Sequence, residues 1–365
     1  MKKVYLHTPL FFLCVVIVFL NACTEKQSKI EIEYTSLQGL AQGTSFNIVY
    51  KDFKQRDFSR SIDSLLSVID NSMSFYIDGS VISRCNNAEN SCELDEHMLN
   101  VYWRSLSIFY ETNGSFDPAV KPLVDFWGFG SDSILSTIDT AKVDSILKFS
   151  NIGNFKLIET LTNSEVIFMS DKIFEDAANY ELRKVDSRSQ LDFNAIAQGY
   201  TVDQISLFFE DKGVFDFMVE VGGEVRVRGV NPKGKLWTIG IDKPVYSSGE
   251  RKLAAVLSLE NKSVATSGNY RKYREIDGVK YSHTISPKTG FPVRDRILSA
   301  TVVTYDCITA DAYATALMVM GYKKAMSTID NNDDIEGYII YSDEKGNVKS
   351  YYSQGIKEII QEKKN

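Results

Sequence analysis

A glycine-centred alternation in the middle of the chain constrains the fold most strongly. Residues Val219 to Val227 read VEVGGEVRV, so apolar and charged side chains alternate on both sides of Gly222-Gly223. A period of two around a Gly-Gly pair is typical of a β-hairpin, because glycine readily adopts the positive φ that tight turns need. The chain is therefore predicted to have an α+β fold, with antiparallel β-sheets flanked by helices.

Other segments extend this prediction in both directions. The opening stretch Leu37–Tyr50 starts with small residues and then alternates, which predicts a β-strand. Helices are predicted for Asp57–Met73, Glu93–Thr112 and Asp306–Met320, and a strand, a turn and a helix for Gln190–Phe209. The sequence has no repeats, so a single large domain over residues 37–365 is expected.

Composition excludes several classes of function. The 365 residues include 41 Lys and Arg against 48 Asp and Glu, and the formal net charge of -7 argues against a nucleic-acid-binding protein. Neither a dinucleotide-binding GxGxxG in a Rossmann context nor a Walker A loop occurs. No grouping of Cys and His has the spacing of a zinc site.

The N-terminus predicts an exported lipoprotein. Lys2 and Lys3 precede an 11-residue apolar run, Leu10 to Leu20, which is shorter than the roughly 20 residues that span a bilayer. The run ends in Leu-Asn-Ala-Cys, which resembles a bacterial lipobox with Cys23 as the lipidated residue. We therefore expect a signal peptide over residues 1–22, a flexible tether over 23–36, and an extracytoplasmic (periplasmic-side) domain that a lipid anchors to a bacterial membrane. The alternative is an ordinary signal peptide with a chance cysteine.

The remaining cysteines and one histidine are expected to have structural roles. Cys85 and Cys92 lie seven positions apart and could pair outside the cytoplasm, but the sequence leaves this open. Cys307 is expected to be a buried or loop thiol. His97 lies early in a predicted helix, where it is expected to be a surface or capping residue.

Two stretches carry candidate chemistry. His283 lies in a turn-rich segment, SHTISPKTG, and Asp311 and Thr315 follow at helical spacing on one face. A carboxylate and a hydroxyl are hard ligands suited to Mg²⁺. By spacing alone, however, such a pair is more often a helix cap and a surface hydroxyl.

A second candidate is the start of the helix that Asn194 could cap. Ala195, Ala197 and Gly199 keep its first turn thin, so its free backbone N–H groups could bind a phosphate. Close packing against another helix explains the same small residues equally well.

These stretches together resemble the ApbE family of FAD:protein FMN transferases. The resemblance extends from about Leu37 to Gly321 and consists of eight motifs in the family's order. They are QGTSF, MSFY with the SRCN that follows, GSFDPAVKPLVDFWGFG, LDFNAIAQGYTVD, VEVGGEVRVRG, ATSGNYRKY, SHTISPKTG and ADAYATAL.

The resemblance implies both an architecture and a reaction. The fold would be ApbE-like, which is similar to a T-fold. The enzyme would use Mg²⁺ and FAD, transfer FMN to a threonine hydroxyl of a target protein, and release AMP. Two alternatives stay open: an FAD pyrophosphatase that yields FMN and AMP, and a non-catalytic FAD-binding lipoprotein.

The resemblance also implies roles for individual residues. Asp311, Thr315 and the backbone carbonyl of Ala195 would bind the metal, and His283 would carry the proton. The residues at FAD-contacting positions are Gln42, Tyr76, Ser115, Phe116, Asp117, Asp192, Gln198 and Ile285.

Four positions depart from the family pattern. Gln42 stands where methionine is common, and Gln198 replaces a lysine or glutamate. Ser286 replaces the aspartate of His-x-x-Asp-Pro, and Ala314 stands where some members have a second aspartate. The change at Ser286 is expected to weaken turnover most.

Overall fold

The computed structural model describes residues 33–130, 138–168, 174, 176–244, 252–269, 273–276 and 279–362. The chain from Tyr34 to Asn365 forms one compact unit. The expected signal peptide, the lipidation site at Cys23 and most of the expected tether lie outside the described residues. Among the described residues the first regular element begins at Thr35, two residues before the expected domain boundary. No described helix is long and apolar enough to cross a membrane.

An eight-stranded sheet runs through the centre of the domain, and each of its neighbouring strands is antiparallel to the next. In spatial order its strands are β1 (Thr35–Ala41), β2 (Thr44–Lys51), β7 (Asp216–Val221), β8 (Glu224–Arg228), β11 (Ser263–Gly268), β14 (Ile297–Thr304), β15 (Glu336–Ser342) and β16 (Val348–Tyr352).

Three smaller antiparallel sheets surround the central one. The first contains, in spatial order, β3 (Ser91–Glu93), β6 (Tyr180–Lys184), β4 (Phe155–Glu159) and β5 (Ser164–Glu165). The second contains β17 (Ile360–Glu362), β10 (Leu253–Leu259) and β9 (Trp237–Asp242), and the third contains β12 (Tyr273–Ile276) and β13 (Val279–Ser282).

The α-helices of the described residues lie mainly between the strands of the first and last thirds of the chain. They are α1 (Ser59–Met73), α2 (Val81–Asn87), α3 (Glu96–Glu111), α4 (Lys121–Phe126), α5 (Thr140–Leu147), α6 (Ala197–Asp211), α7 (Cys307–Met320), α8 (Tyr322–Asp330) and α9 (Gln354–Ile359). The predicted α+β class with antiparallel sheets is confirmed.

The central sheet is covered on both faces. Val219 and Ile48 pack with apolar residues of α1 and α6, whereas Val225 and Val264 pack with Leu257 of the three-stranded sheet. Every residue of β14 except Leu298 is buried, as expected for a strand with an apolar layer on each side. Helix α7, which carries the candidate ligands Asp311 and Thr315, therefore packs against a well-buried sheet.

The predicted hairpin at Val219–Val227 and the three predicted helices are confirmed, with Asp306 as the N-cap of α7. The prediction of one strand over Leu37–Tyr50 is wrong, because that stretch forms the β1–β2 hairpin. Gln42 and Gly43 both have positive φ, 53° and 72°, and close a two-residue turn. A non-glycine residue seldom adopts this conformation, so the Gln-Gly pair gave a weak turn signal.

The region before α6 also differs from the prediction. Residues 190–193 form no strand, and Asn194 does not cap the helix, whose N-cap is Ile196 without a side-chain cap. The carboxylate of Asp192 instead accepts a hydrogen bond from the Asn194 N–H, 2.8 Å away. A local turn built by an aspartate replaces the cap.

A disulfide joins Cys85 and Cys92, so the pairing that the sequence left open is present. It closes the loop that begins with Asn86. The Asn86 amide exchanges two hydrogen bonds with the backbone of Leu191, at 2.7 and 2.9 Å. The disulfide-closed loop is thereby fastened to the residue before Asp192.

A buried carboxylate joins α6, α7 and the central sheet. Asp203 of α6 accepts hydrogen bonds from Arg226 of β8 (2.7 Å) and from the backbone N–H groups of Cys307 and Ile308 (2.9 and 2.8 Å). Burial raises its pKa to about 6, although Arg226 and the two N–H groups favour the charged form. Cys307 is itself a buried thiol, as expected.

We predict that Asp203→Asn destabilises the domain by about 3 kcal/mol, because it removes the nearer of the two carboxylates that pair with the buried Arg226 guanidinium and leaves only Glu210, at 3.5 Å. Urea denaturation would measure the change. Asp211→Asn on the same helix is the control, since Asp211 pairs with Lys212 in solvent. Equal unfolding midpoints for the two variants would contradict the assigned role of Asp203.

Candidate functional site

The candidate site is built around a close approach of α6 to α7. A Cβ atom placed on Gly199 would lie 2.3 Å from the carbonyl oxygen of Cys307 and 2.8 Å from Cβ of Asp311. Only glycine fits between these backbones. Of the two explanations for the small residues that open α6, close helix packing therefore holds at Gly199.

Asp311 is a buried carboxyl group beside that contact. Its Oδ2 accepts a hydrogen bond from the Gly199 N–H at 3.0 Å. Burial raises the pKa of Asp311 to about 7, and the Gly199 hydrogen bond opposes this shift only in part. No Lys or Arg among the described residues forms an ion pair with it. A bound cation would supply the missing positive charge.

The Ala195 carbonyl oxygen is open because it lies just outside the helix. The N-cap of α6 is Ile196, whose carbonyl accepts from the Tyr200 N–H at 3.0 Å, so the Gly199 N–H has no partner within the helix. Asp311 supplies that partner, and no residue in the described ranges donates to the Ala195 carbonyl. One expected metal ligand thus caps the helix start, and another keeps its oxygen available.

Thr315, the third expected ligand, lies one turn after Asp311 on α7. Its half-buried hydroxyl is 3.0 Å from the Ser267 hydroxyl of β11. No set of three His, Cys, Asp or Glu side chains that could hold a metal exists within the described residues. One carboxylate with neutral oxygens fits Mg²⁺, which prefers hard ligands and usually keeps several waters.

Two glutamines connect the start of α6 to hairpin turns, one from a turn and the other from the helix itself. Gln42, in the β1–β2 turn, donates from Nε2 to the Thr201 hydroxyl at 2.7 Å. Its Oε1 is buried and, among the described residues, has no hydrogen-bond partner. The amide of Gln198 covers Gly222 in the β7–β8 turn, where a Cβ would lie 2.6 Å from its Nε2.

Asp192 lies next to a lysine that the sequence reasoning did not select. Lys121 of α4 pairs with Asp125 at 2.8 Å, and its charge opposes the burial that raises the pKa of Asp192. The Lys121 ammonium also lies 4.6 Å from the ring centroid of Phe75. The adjacent Tyr76 is 77% exposed. The spacing of Lys121 and Asp125, four residues apart in the GSFDPAVKPLVDFWGFG motif, was the available signal.

The residues Ser115, Phe116 and Asp117 are buried. The Asp117 carboxylate accepts hydrogen bonds from the backbone N–H groups of Ala119 (2.8 Å) and Ile152 (3.1 Å), and burial raises its pKa to about 7. The Asp117 side chain therefore fastens its own loop to a neighbouring segment.

His283 follows strand β13 directly, on a segment that is hydrogen-bonded to the residue after β11. Strand β11 is in turn hydrogen-bonded to α7. The half-buried ring of His283 faces Phe129, with 6.4 Å between ring centroids. The hydroxyl of the next residue, Thr284, donates to the Asn269 side chain at 2.7 Å. Asn269 follows Ser267 by two residues, or about 7 Å of extended chain, so the His283 segment lies near Thr315.

The turn after His283 is rigid. Ile285 is buried in an apolar cluster with Leu123 and Trp127. The Trp127 indole donates to the Gly290 carbonyl at 2.8 Å, and the Gly290 N–H donates to the carbonyl of Ser286 at 2.8 Å. Ser286, where the family pattern has aspartate, is thus fixed by its backbone.

The structure brings five of the selected residues to the start of α6 and the adjoining face of α7. They are Gln42, Ala195, Gln198, Asp311 and Thr315. Asp192 lies on the turn before α6, and His283 lies on the segment that Thr284 fastens to Asn269. Tyr76 is the residue after Phe75, whose ring contacts Lys121. The side chains of Phe116, Asp117 and Ile285 are buried against other protein groups. His97 lies outside this group, with Nδ1 2.8 Å from the Tyr200 hydroxyl.

Sequence comparison places this arrangement in a known context. The family model described as "ApbE family" matches residues 42–339. The FAD:protein FMN transferase of Vibrio cholerae is 31% identical over 334 residues, which cover 90% of this chain and 93% of the relative. The FAD:protein FMN transferase of Haemophilus influenzae is also 31% identical, over 337 residues and 90% of each chain.

Solved structures agree with the sequence comparison. The flavin transferase ApbE from Vibrio cholerae superposes with a TM-score of 0.75 at 30% identity and covers 90% of this chain and 99% of that one. The ApbE protein from Thermotoga maritima gives a TM-score of 0.72 at 29% identity, with the same coverage. This chain belongs to the ApbE family.

Proposed function

We propose that this chain is an Mg²⁺-dependent FAD:protein FMN transferase that moves FMN from FAD to a threonine hydroxyl of a target protein and releases AMP. One observation carries the proposal within this family. The Gly199 amide at the start of α6 binds a buried carboxylate that has no cationic partner among the described residues, and the carbonyl of Ala195, four residues before Gly199, accepts no hydrogen bond from those residues.

The proposed reaction is a displacement at phosphorus. The threonine oxygen attacks the phosphorus on the FMN side of the FAD pyrophosphate, the bond to the AMP oxygen breaks, and the hydroxyl proton leaves. Asp311, Thr315 and the Ala195 carbonyl would hold Mg²⁺, which supplies charge neutralisation at the phosphate oxygens. Because such reactions involve little other covalent chemistry, positioning contributes most of the remaining rate.

His283 is proposed to accept the threonine proton. An imidazole ring is suited to this role because it can gain and lose a proton near neutral pH. The Thr284–Asn269 hydrogen bond and the rigid turn after Ile285 hold its segment in place. Ser286 lacks the carboxylate that the family pattern has at this turn, so turnover is expected to be slower than in relatives with aspartate.

The proposed location is the outer side of a bacterial membrane, through a lipid on Cys23. The lipobox-like end of the apolar N-terminal run supports this. The Cys85–Cys92 disulfide supports it independently, since disulfides persist mainly in oxidising compartments. The acceptor would then be a membrane or extracytoplasmic protein.

We predict that the purified protein with FAD, Mg²⁺ and an FMN-free candidate acceptor yields a threonine-linked FMN adduct and equimolar AMP. Mass spectrometry of the acceptor and chromatography of the nucleotides would measure both, with an EDTA-treated reaction as control. FMN and AMP without an adduct would instead identify a pyrophosphatase. Bound FAD with neither product would identify a binding protein.

Asp311→Asn is predicted to reduce Mg²⁺-dependent transfer by about 100-fold or more, because it removes the charged ligand of an ion that stabilises the transition state by several kcal/mol. Initial rates over a series of Mg²⁺ concentrations would measure it. Asp333→Asn, at an exposed position, is the matched control. Wild-type rates in the Asp311 variant would exclude it as a metal ligand.

His283→Ala is predicted to lower kcat by about 100-fold or more, the range expected for a lost general base, and to leave the Kd for FAD nearly unchanged. Single-turnover rates and FAD fluorescence titration separate the two quantities. His97→Ala serves as control, since His97 lies in the described domain but outside the site. Loss of FAD binding with an unchanged kcat would refute the proposed role.

A further inference from the structure

Strand β1 forms one edge of the central sheet. Ala41 pairs directly with Thr44 across the two-residue turn, so these two residues exchange backbone hydrogen bonds. In this register every second residue of β1 bonds to β2. The residues between them therefore direct their N–H and C=O groups away from the sheet; they are Ser36, Gln38 and Leu40.

These outward groups are uncovered. Within the described ranges β1 pairs only with β2, and no described residue bonds to the backbone of Ser36, Gln38 or Leu40. All three residues are exposed, and the Leu40 side chain is 87% exposed. The edge is therefore ready to accept another strand.

The edge also lacks the features that normally prevent strand pairing. Charged residues and proline on an edge strand discourage the addition of a further strand. Strand β1, TSLQGLA, contains neither, whereas β16 at the opposite edge carries the exposed Lys349. The two edges of one sheet thus differ in the way expected if only β1 is meant to be paired.

The open edge leads directly into the candidate site. Strand β1 ends at Ala41, and the amide of the next residue, Gln42, donates to the Thr201 hydroxyl. The Thr201 hydroxyl in turn donates to the Ala197 carbonyl at 2.8 Å. Ala197 opens the helix in which Gly199 contacts Asp311. Two residues of extended chain beyond Leu40, about 7 Å, reach this helix start.

We propose that the edge of β1 binds an extended segment of the acceptor protein by β-strand addition, and that the accepting threonine lies a few residues beyond the paired part. The inference rests on the proposed transfer to a protein. Main-chain hydrogen bonds give affinity in this mode without a demanding sequence, and the exposed Leu40 offers an apolar contact. The strand direction then delivers the segment to the metal ligands.

The chain's own leader is a poorer occupant. To pair with β1 it would have to reverse direction just before Tyr34. Of the five residues that tight turns favour most, the stretch Thr24–Glu33, TEKQSKIEIE, has no Gly, Pro, Asn or Asp and a single Ser, Ser28. A second copy of this chain on the same edge would lie across the entry to the site.

Leu40→Lys tests the proposal, because a charge at this position blocks strand addition in the way natural edges do. The matched control is Leu161→Lys, a leucine that is 83% exposed and lies in the β4–β5 turn of another sheet. With the acceptor that the wild-type protein modifies, Leu40→Lys should raise KM for the acceptor by about tenfold or more. The Kd for FAD and the melting temperature should not change, and Leu161→Lys should leave all three values unchanged.

Hydrogen exchange gives a second, independent measurement on the wild-type protein. The amides of Ser36, Gln38 and Leu40 should exchange rapidly in the free protein and become protected when the acceptor is added. Protection in the free protein would show that the chain already covers its own edge and would overturn the proposal. Equal KM values for the two lysine variants would do the same.

Two further outcomes separate this inference from the proposed function. If Leu40→Lys converts a dimer to a monomer in light scattering without raising KM, the edge pairs with a second copy and the inference is wrong. If the wild-type protein modifies no acceptor at all, the proposed function fails and the docking inference fails with it. If the wild-type protein transfers FMN and the two variants behave alike, only the docking inference fails.

Discussion

The contact between α6 and α7 at Gly199 is the constraint on which the rest of the site depends. At that point the backbone of one helix touches the carbonyl of Cys307 and the side chain of Asp311, and no side chain fits between them. One turn further along α6, Asp203 binds the first N–H groups of α7. The helices are thus fixed both at their contact and at the start of α7, so the face of α7 that carries Asp311 is held against the start of α6.

This arrangement has an electrostatic cost that a cation would offset. A buried carboxyl group without a positive partner is held partly in its neutral form, which is why the pKa of Asp311 rises to about 7. The proposed divalent ion would remove this cost. Two further segments carry candidate residues: one holds the Asp192 carboxyl group and the Lys121 ammonium that favours its charged form, and the other is the His283 segment, which the turn at Gly290 fixes.

Local sequence patterns predicted much of the fold but few of the hydrogen bonds that join distant residues at the site. The hairpin at Gly222-Gly223 and the helix that carries Asp311 and Thr315 depend on neighbours in sequence, and both are confirmed. The hydrogen bond between Gly199 and Asp311 joins residues more than a hundred positions apart, so no local pattern reveals it. The turn at Gln42 was missed for another reason: its positive φ contradicts the ordinary preference of glutamine and is maintained by contacts with α6.

The disulfide between Cys85 and Cys92 has a consequence for how a newly synthesised chain reaches its final structure. Cys85 and Cys92 bracket Asn86, which holds Leu191 and so the backbone that leads to Asp192. A cross-link narrows the unfolded ensemble and favours the ordered loop. A newly made chain with reduced cysteines lacks this restraint. The backbone that leads to Asp192 is then expected to gain its full order when the disulfide forms, which would couple the completion of this segment to export into an oxidising compartment.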